Sequence, residues 1–306
     1  MQNTLNKAFC LTGISLHRGE VVNLKALPAP ANSGVWFRRI DIVDRDPFIE
    51  AIYSCVTDTR LCTRIANQDG ISVQTIEHLM AALAGTGIHN ALIEIDGPEL
   101  PILDGSSKEF VNAILSVGKK ASAADIEGFK IEKTVKVTDG LSWATLAPAD
   151  EFTIEFYIDY SDTVIGRQNL SLAMKNGTFV RELCDSRTFC RQSEVSALKS
   201  KGLVKGGTLK NAVVLESDKI VNIGGLRRKD ECVRHKMLDA MGDLSLAGRP
   251  LLAAFTSNCG GHALTNRLLR KTFADSDSFV PFKISKNQAV QLPGFGLQES
   301  DLCRLV

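Results

Sequence analysis

In the stretch RHKMLDAMGDL, His235 and Asp239 stand four residues apart and Asp243 follows four further on. On a helix, side chains at i and i+4 share a face, so an imidazole and a carboxylate at this spacing can grip one ion. That donor pair suits Zn2+. At about 100° per residue, Val233, Met237, Ala240, Met241 and Leu244 fall on one side of the helix, while His235, Asp239, Gly242 and Asp243 fall opposite. Taken alone, an H-x-x-x-D pair is more often a capped or solvated polar face than a metal site.

A second helical stretch, TIEHLMAALAGTG, gives the pair its partner. Ile76, Leu79, Met80 and Leu83 form its apolar side, and His78 lies across from them among Ala81 and Ala82. A face made of alanines is not built to meet water, so it is expected to pack against something, and the natural candidate is the His235 helix. His78, His235 and Asp239 would then form a set of two imidazoles and one carboxylate, which leaves a coordination position open as catalytic zinc sites do. Glu77, beside His78, falls where a general base for an activated water is wanted.

Two other metal readings compete. Cys232, His235, Cys259 and His262 carry paired C-x-x-H spacings and could close a structural Cys2His2 site. That set would strand Asp239, and NCGGH reads as a tight turn. Two His and a carboxylate also serve non-haem Fe(II) oxygenases, and spacing alone does not separate iron from zinc. His262 sits on a loop or first helical turn, a frequent place for reactive groups. His17 in TGISLHRGE and His89 in GTGIHNA lie at turns, where structural roles are the default.

The elements that must position these residues are legible in outline. From Leu11 to about Val73, short alternating segments broken by Gly, Pro and Asn predict an antiparallel meander. The helix at 75–86, with Gly85 as its stop, the strand NALIEIDG and the helix KEFVNAILSVG follow. After the aperiodic KKASAADIEG the plan repeats: strands IEKTVKV, LSWATLA and EFTIEFYIDY, then a helix over 230–246, a strand PLLAAFTS and a helix from GHALTNRLLRKTF. The expected fold is α+β, with two similar domains, 1–124 and 125–306, each a mainly antiparallel sheet with two helices, packed helix to helix with the site between them. An extra βαβ-like insert is placed at about 161–228, with the Gly-rich joints KGGTLKN and NIGGL suggesting mobility.

Composition excludes several classes. With 44% hydrophobic residues, 23% charged and a formal net charge of +1, the chain has no bulk attraction to nucleic acid or anionic membrane. It shows neither a signal-peptide pattern nor a run of about 18 apolar residues, so a cytoplasmic protein without stable membrane insertion is expected. The eight scattered cysteines, none in a C-x-x-C pair, fit reduced thiols. A monomer is expected, because the main apolar faces are used between the halves.

QTIEHLMAAL, DGPELPILDGSS, CDSRTFC, RHKMLDAMGDL and GGHALTN, with GISLHRGE near the start, occur in an order and at a chain length that resemble the UDP-3-O-acyl-N-acetylglucosamine deacetylases of bacterial lipid A synthesis. The resemblance implies a zinc amidase that removes the N-acetyl group of a UDP-linked, 3-O-(3-hydroxyacyl) glucosamine and releases acetate, with one catalytic Zn2+ and Fe2+ as an alternative occupant in the cell. It places the metal ligands at His78, His235 and Asp239, the general base at Glu77, and the general acid or electrostatic partner at His262, oriented by Asp243. Thr188 matches an oxyanion-stabilising residue, Phe189 a substrate-contacting aromatic, Lys236 a basic residue near the nucleotide phosphates, and His17 a histidine near the cleft. It also implies an apolar passage for the acyl chain, with Val195, Leu198, Leu203 and Val204 as its lining.

Overall fold

The computed structural model describes residues 1–303. Two five-stranded sheets dominate it. In the first, the spatial order is Phe9–Ile14, Val21–Pro28, Ala91–Ile95, Val35–Arg39 and Phe48–Glu50. In the second, it is Val135–Asp139, Ser142–Ala147, Ala254–Asn258, Thr153–Tyr160 and Gly166–Ala173. The two orders are the same when strands are counted along the chain: first, second, fifth, third, fourth. Period-2 burial sets the inner faces, with Val22, Leu24 and Ala26 buried on one strand and Ala91, Ile93 and Ile95 on its neighbour.

The simple meander expected for the first sheet is not what forms. Ala91–Ile95 enters between Val21–Pro28 and Val35–Arg39, antiparallel to the first and parallel to the second. Ala254–Asn258 does the same in the second sheet, parallel to Thr153–Tyr160. A parallel pair needs a long crossover, and each crossover carries a helix that crosses the core. These are α1 (Glu77–Thr86) and, in the second sheet, α4 (Glu231–Ser245). Helices α2 (Lys108–Val117) and α5 (His262–Ala274) follow the two central strands. Residues of the presumed meander also form a separate small sheet of Val56–Asp58, Arg64–Ala66 and Ser72–Gln74.

Helix α1 is buried nearly all round, with Leu79, Ala81 and Ala82 at 0% exposure, which explains why its second face carries alanine. It packs on α4 with its backbone almost touching. A Cβ at Gly242 would sit 2.1 Å from the Glu77 carbonyl oxygen, so only glycine lets the helices meet there. Gly85 is not the stop of α1. It lies inside the helix under the Phe179 ring, and Gly87, at φ 76°, supplies the left-handed cap.

The additional element is shorter than 161–228, because Gly166–Ala173 pairs along its whole length with Thr153–Tyr160 as the edge of the second sheet. What remains is a compact βαβ unit: Phe189–Arg191, then α3 (Gln192–Ser200), then Val213–Leu215 parallel to the first strand. The KGG joint is fastened down. The Lys205 and Gly206 N–H groups donate to the His17 and Leu16 carbonyls at 3.2 and 3.0 Å, and a Cβ on Gly206 would meet the Ser15 carbonyl oxygen. Beyond α5, Phe279–Lys283 pairs with Glu127–Ile131, and Gly294 lies against the C-terminal end of α1. No described helix is long and apolar enough to cross a membrane.

Candidate metal and catalytic site

The site forms where the first turn of α1 faces the middle of α4. Thr75 leads into α1 at φ 59°, an outlying conformation for a β-branched residue. Its hydroxyl donates to buried Glu99 at 3.2 Å, and the same carboxylate accepts the His17 and Arg18 N–H groups at 2.7 and 3.0 Å. That anchored turn aims Glu77 and His78 toward α4.

His78, His235 and Asp239 converge, all buried, with ligand atoms within 4.8 Å of one another. Asp239 Oδ1 lies 3.6 Å from His78 Nε2 and 3.4 Å from His235 Nε2. Two atoms each about 2.0–2.1 Å from a tetrahedral ion stand about 3.4 Å apart, so the spacing and the donor types fit a metal. His235 Nδ1 donates to the Ser186 carbonyl at 3.0 Å, which fixes the tautomer and leaves Nε2 free to bind an ion. Burial lowers the His235 pKa to about 4 against the pull of Asp239, so the ring is neutral at physiological pH. Burial opposes the Asp239 charge, yet His235, Lys236 and His78 outweigh it and hold the carboxyl well below its usual range. Both partners are therefore in the form a metal requires.

The Lys236 ammonium donates to Asp239 Oδ2 at 2.8 Å, leaving Oδ1 to the imidazoles. Glu77, 4% exposed, has its carboxyl pKa raised by burial, partly offset by His262 and His78. A raised pKa of this kind suits a carboxylate that must take a proton. His262, at the start of α5, donates from Nδ1 to Asp243 Oδ2 at 2.7 Å. Burial disfavours its charge, but Asp243, with help from Glu77 and Asp239, raises the pKa to about 9. It is an imidazolium at physiological pH.

Residues 186–189 run alongside α4. Glu231, fully buried in the first turn of α4, accepts from the Arg187 backbone and guanidinium at 3.0, 2.8 and 3.1 Å and from the Arg227 N–H at 2.6 Å. This clamp and the Ser186–His235 bond hold residues 186–189 against the helix. The Phe189 ring meets His235 edge-on at 6.2 Å. The Thr188 N–H donates to the Gly105 carbonyl, fixing the backbone there. His17 is 5% exposed, both its ring nitrogens lack a hydrogen-bond partner in the protein, and no hydrogen bond joins it to the His78, His235 and Asp239 cluster among the described residues. His89 is structural, accepting the Asn3 N–H at 3.0 Å, and burial drops its pKa to about 4.

The Cys2His2 alternative does not assemble. Cys259 is exposed, Cys232 is buried with its thiol pushed up to about 12 by burial, and the three-residue cluster is the one metal-competent group among the described residues. Two contributors had no sequence signal strong enough to single them out: the Ser186 carbonyl and Gly242. Gly242 came nearer, since an isolated glycine inside a helix costs about 1 kcal/mol against alanine and so invites a packing reason.

The chain matches the LpxC family, UDP-3-O-acyl N-acetylglycosamine deacetylase, over residues 2–274. The chain belongs to this deacetylase family. UDP-3-O-acyl-N-acetylglucosamine deacetylases from Idiomarina loihiensis and Shewanella violacea are each 42% identical to it, over 94% of this chain and 94% and 95% of the relative. The enzyme of that name from Mannheimia succiniciproducens is 40% identical over 92% of this chain and 93% of its own length. The family is a metal-dependent amidohydrolase family, and the cluster on α1 and α4 is a candidate metal site in this chain.

Proposed function

We propose that this protein is a zinc-dependent deacetylase that hydrolyses the N-acetyl amide of UDP-3-O-(3-hydroxyacyl)-N-acetylglucosamine, releasing acetate and the free amine in lipid A biosynthesis. The observation that carries the reading is the convergence of His78 from α1 with His235 and Asp239 from α4, beside Glu77, in a chain that aligns almost end to end with such enzymes. Identical strand orders support a reading as two α+β domains divided near residue 124, with the site between them. Both halves of the site come from one chain, so a monomer suffices.

An unstrained amide needs a strong nucleophile, a stabilised oxyanion and a proton for the departing nitrogen. When bound by His78, His235 and Asp239, zinc supplies Lewis acidity, polarising the carbonyl and bringing the pKa of water down to about 7. Glu77 takes the proton of the attacking water, a role that its burial and raised pKa suit. The Thr188 hydroxyl donates to the developing oxyanion, where one well-placed donor contributes about 3 kcal/mol. His262, charged through Asp243, protonates or electrostatically stabilises the leaving amine. Phe189 packs beside His235 as an apolar wall for substrate. Lys236 has a flexible stem with which to leave Asp239 for a phosphate. His17 lies on the loop bonded to Lys205 and Gly206, next to Leu203 and Val204, which are read as lining of an acyl passage. The reaction is intracellular in this reading, and Fe2+ is an alternative occupant of the same ligands.

The test is metal content and acetate release in three variants. Asp239→Ala is expected to lose metal and Glu77→Ala to keep metal but lose turnover, while Cys259→Ala keeps both. Full activity in Glu77→Ala would sink the mechanism; metal loss in Cys259→Ala would favour the structural Cys2His2 site.

A further inference from the structure

Thr63 is 2% exposed and stands 180 positions from Asp243 in sequence, yet its N–H and its hydroxyl both bond carboxylates of the site. Its N–H donates to Glu77 Oε2 at 3.0 Å. Its hydroxyl donates to Asp243 Oδ1 at 2.6 Å, and Asp243 Oδ2 in turn accepts from His262 Nδ1 at 2.7 Å. Its carbonyl accepts the N–H of Ile76, the residue that opens α1, at 3.5 Å. An ionised carboxylate only accepts, so the Thr63 hydroxyl must be the donor, and its rotor is fixed. One residue thereby links the carboxylate behind the imidazolium to the carboxylate of the presumed base, across the gap between α4 and α1.

We propose that Thr63 is a positioning residue for the deacetylation, holding Asp243, and through it His262, in register with Glu77. The proposal rests on the reading of Glu77 as base and His262 as acid. Asp243 Oδ2 is spent on His262, so its other oxygen needs a donor of its own in this buried setting. Without the Thr63 hydroxyl that oxygen is left unsatisfied, the carboxylate is free to turn, and the His262 ring turns with it. Distances between Glu77, His262 and the substrate nitrogen then drift, and small misplacements of this kind carry large rate penalties.

The experiment compares Thr63→Val and Thr63→Ser with Asp243→Asn, Glu77→Ala and the double variant Thr63→Val/Asp243→Asn, each purified as the metal-loaded enzyme. Thr63→Val is expected to lower kcat by about 10- to 100-fold, the range for removing a hydrogen bond to a buried charge, with KM and metal content within about twofold. Thr63→Ser, which keeps the hydroxyl, restores most of kcat even if Thr63→Val proves hard to fold. Because Thr63 acts through Asp243, adding Thr63→Val to Asp243→Asn is expected to lower kcat little further. Wild-type kcat in Thr63→Val, or losses that simply multiply in the double variant, would overturn the proposal while leaving the base reading intact if Glu77→Ala is dead. An active Glu77→Ala would instead overturn the reading beneath it, so the two failures are told apart.

Discussion

Replacing Gly242 by alanine should damage the site far more than the fold. The added Cβ would lie 2.1 Å from the Glu77 carbonyl oxygen, 2.9 Å from its carbon and 3.1 Å from its Cα, all backbone atoms that cannot rotate away. Ordinary contact begins at 3.4 Å, so α1 and α4 must part by about 1.3 Å or twist to the same effect. Overpacking of this kind costs about 1–3 kcal/mol, but alanine regains about 1 kcal/mol of helix propensity over glycine, leaving a net loss of about 0–2 kcal/mol. The candidate ligands are less forgiving. His78 rides on α1 and His235 and Asp239 on α4, and metal distances tolerate only about 0.2 Å of error. A displacement of about 1 Å at a reacting centre is enough for a rate loss of about 100-fold. The assay is paired: thermal unfolding for the fold, metal content and acetate release for the site. A Gly242→Ala enzyme that keeps its metal and turns over within about twofold of wild type would refute the idea that this backbone contact sets the site.

Two further outcomes follow from buried charges. His262 has its folded pKa raised from 6.5 to about 9, so its proton stabilises the fold fully below pH 6.5, and that contribution is lost as pH rises through about 9; in metal-free protein the stability gap between wild type and His262→Gln should be widest at low pH and close above that value, and a pH-independent gap would contradict it. Arg187→Ala strips the guanidinium from fully buried Glu231, leaving only backbone donors, and should lower stability by about 3 kcal/mol in denaturant unfolding; a loss under about 1 kcal/mol would mean the clamp matters little.

What the sequence disclosed and what it withheld divide along a physical line. Periodicity within one element was readable: the alanine face of α1, the His235–Asp239 spacing on α4 and the order of strands and helices all follow from local pattern. Pairing between distant segments was not. Nothing in Val35–Arg39 says that its parallel neighbour arrives with Ala91–Ile95, because a strand's own pattern does not name its partner. The edge strand Gly166–Ala173, with no fully buried residue, carries too little apolar signal to be told from an insert.

The same line runs through the site and explains why its candidate ligands were legible while their supports were not. A ligand must be His, Cys or a carboxylate, so its chemistry is written in its side chain. A support can be any residue whose backbone or hydroxyl stands in the right place. Ser186 serves His235 with a carbonyl, Gly242 serves by having no Cβ, and Thr63 reaches Asp243 across 180 positions of sequence with a hydroxyl. Only the folded chain brings Thr63 between Glu77 and Asp243. Under the proposed mechanism the constellation is two carboxylates, Glu77 and Asp243, bridged through one threonine, rather than a metal face with acid and base beside it. On that description, removing the Thr63 hydroxyl should let Asp243 and His262 shift relative to a Glu77 that the Thr63 N–H still holds, whereas an acid positioned independently of Thr63 would stay in place.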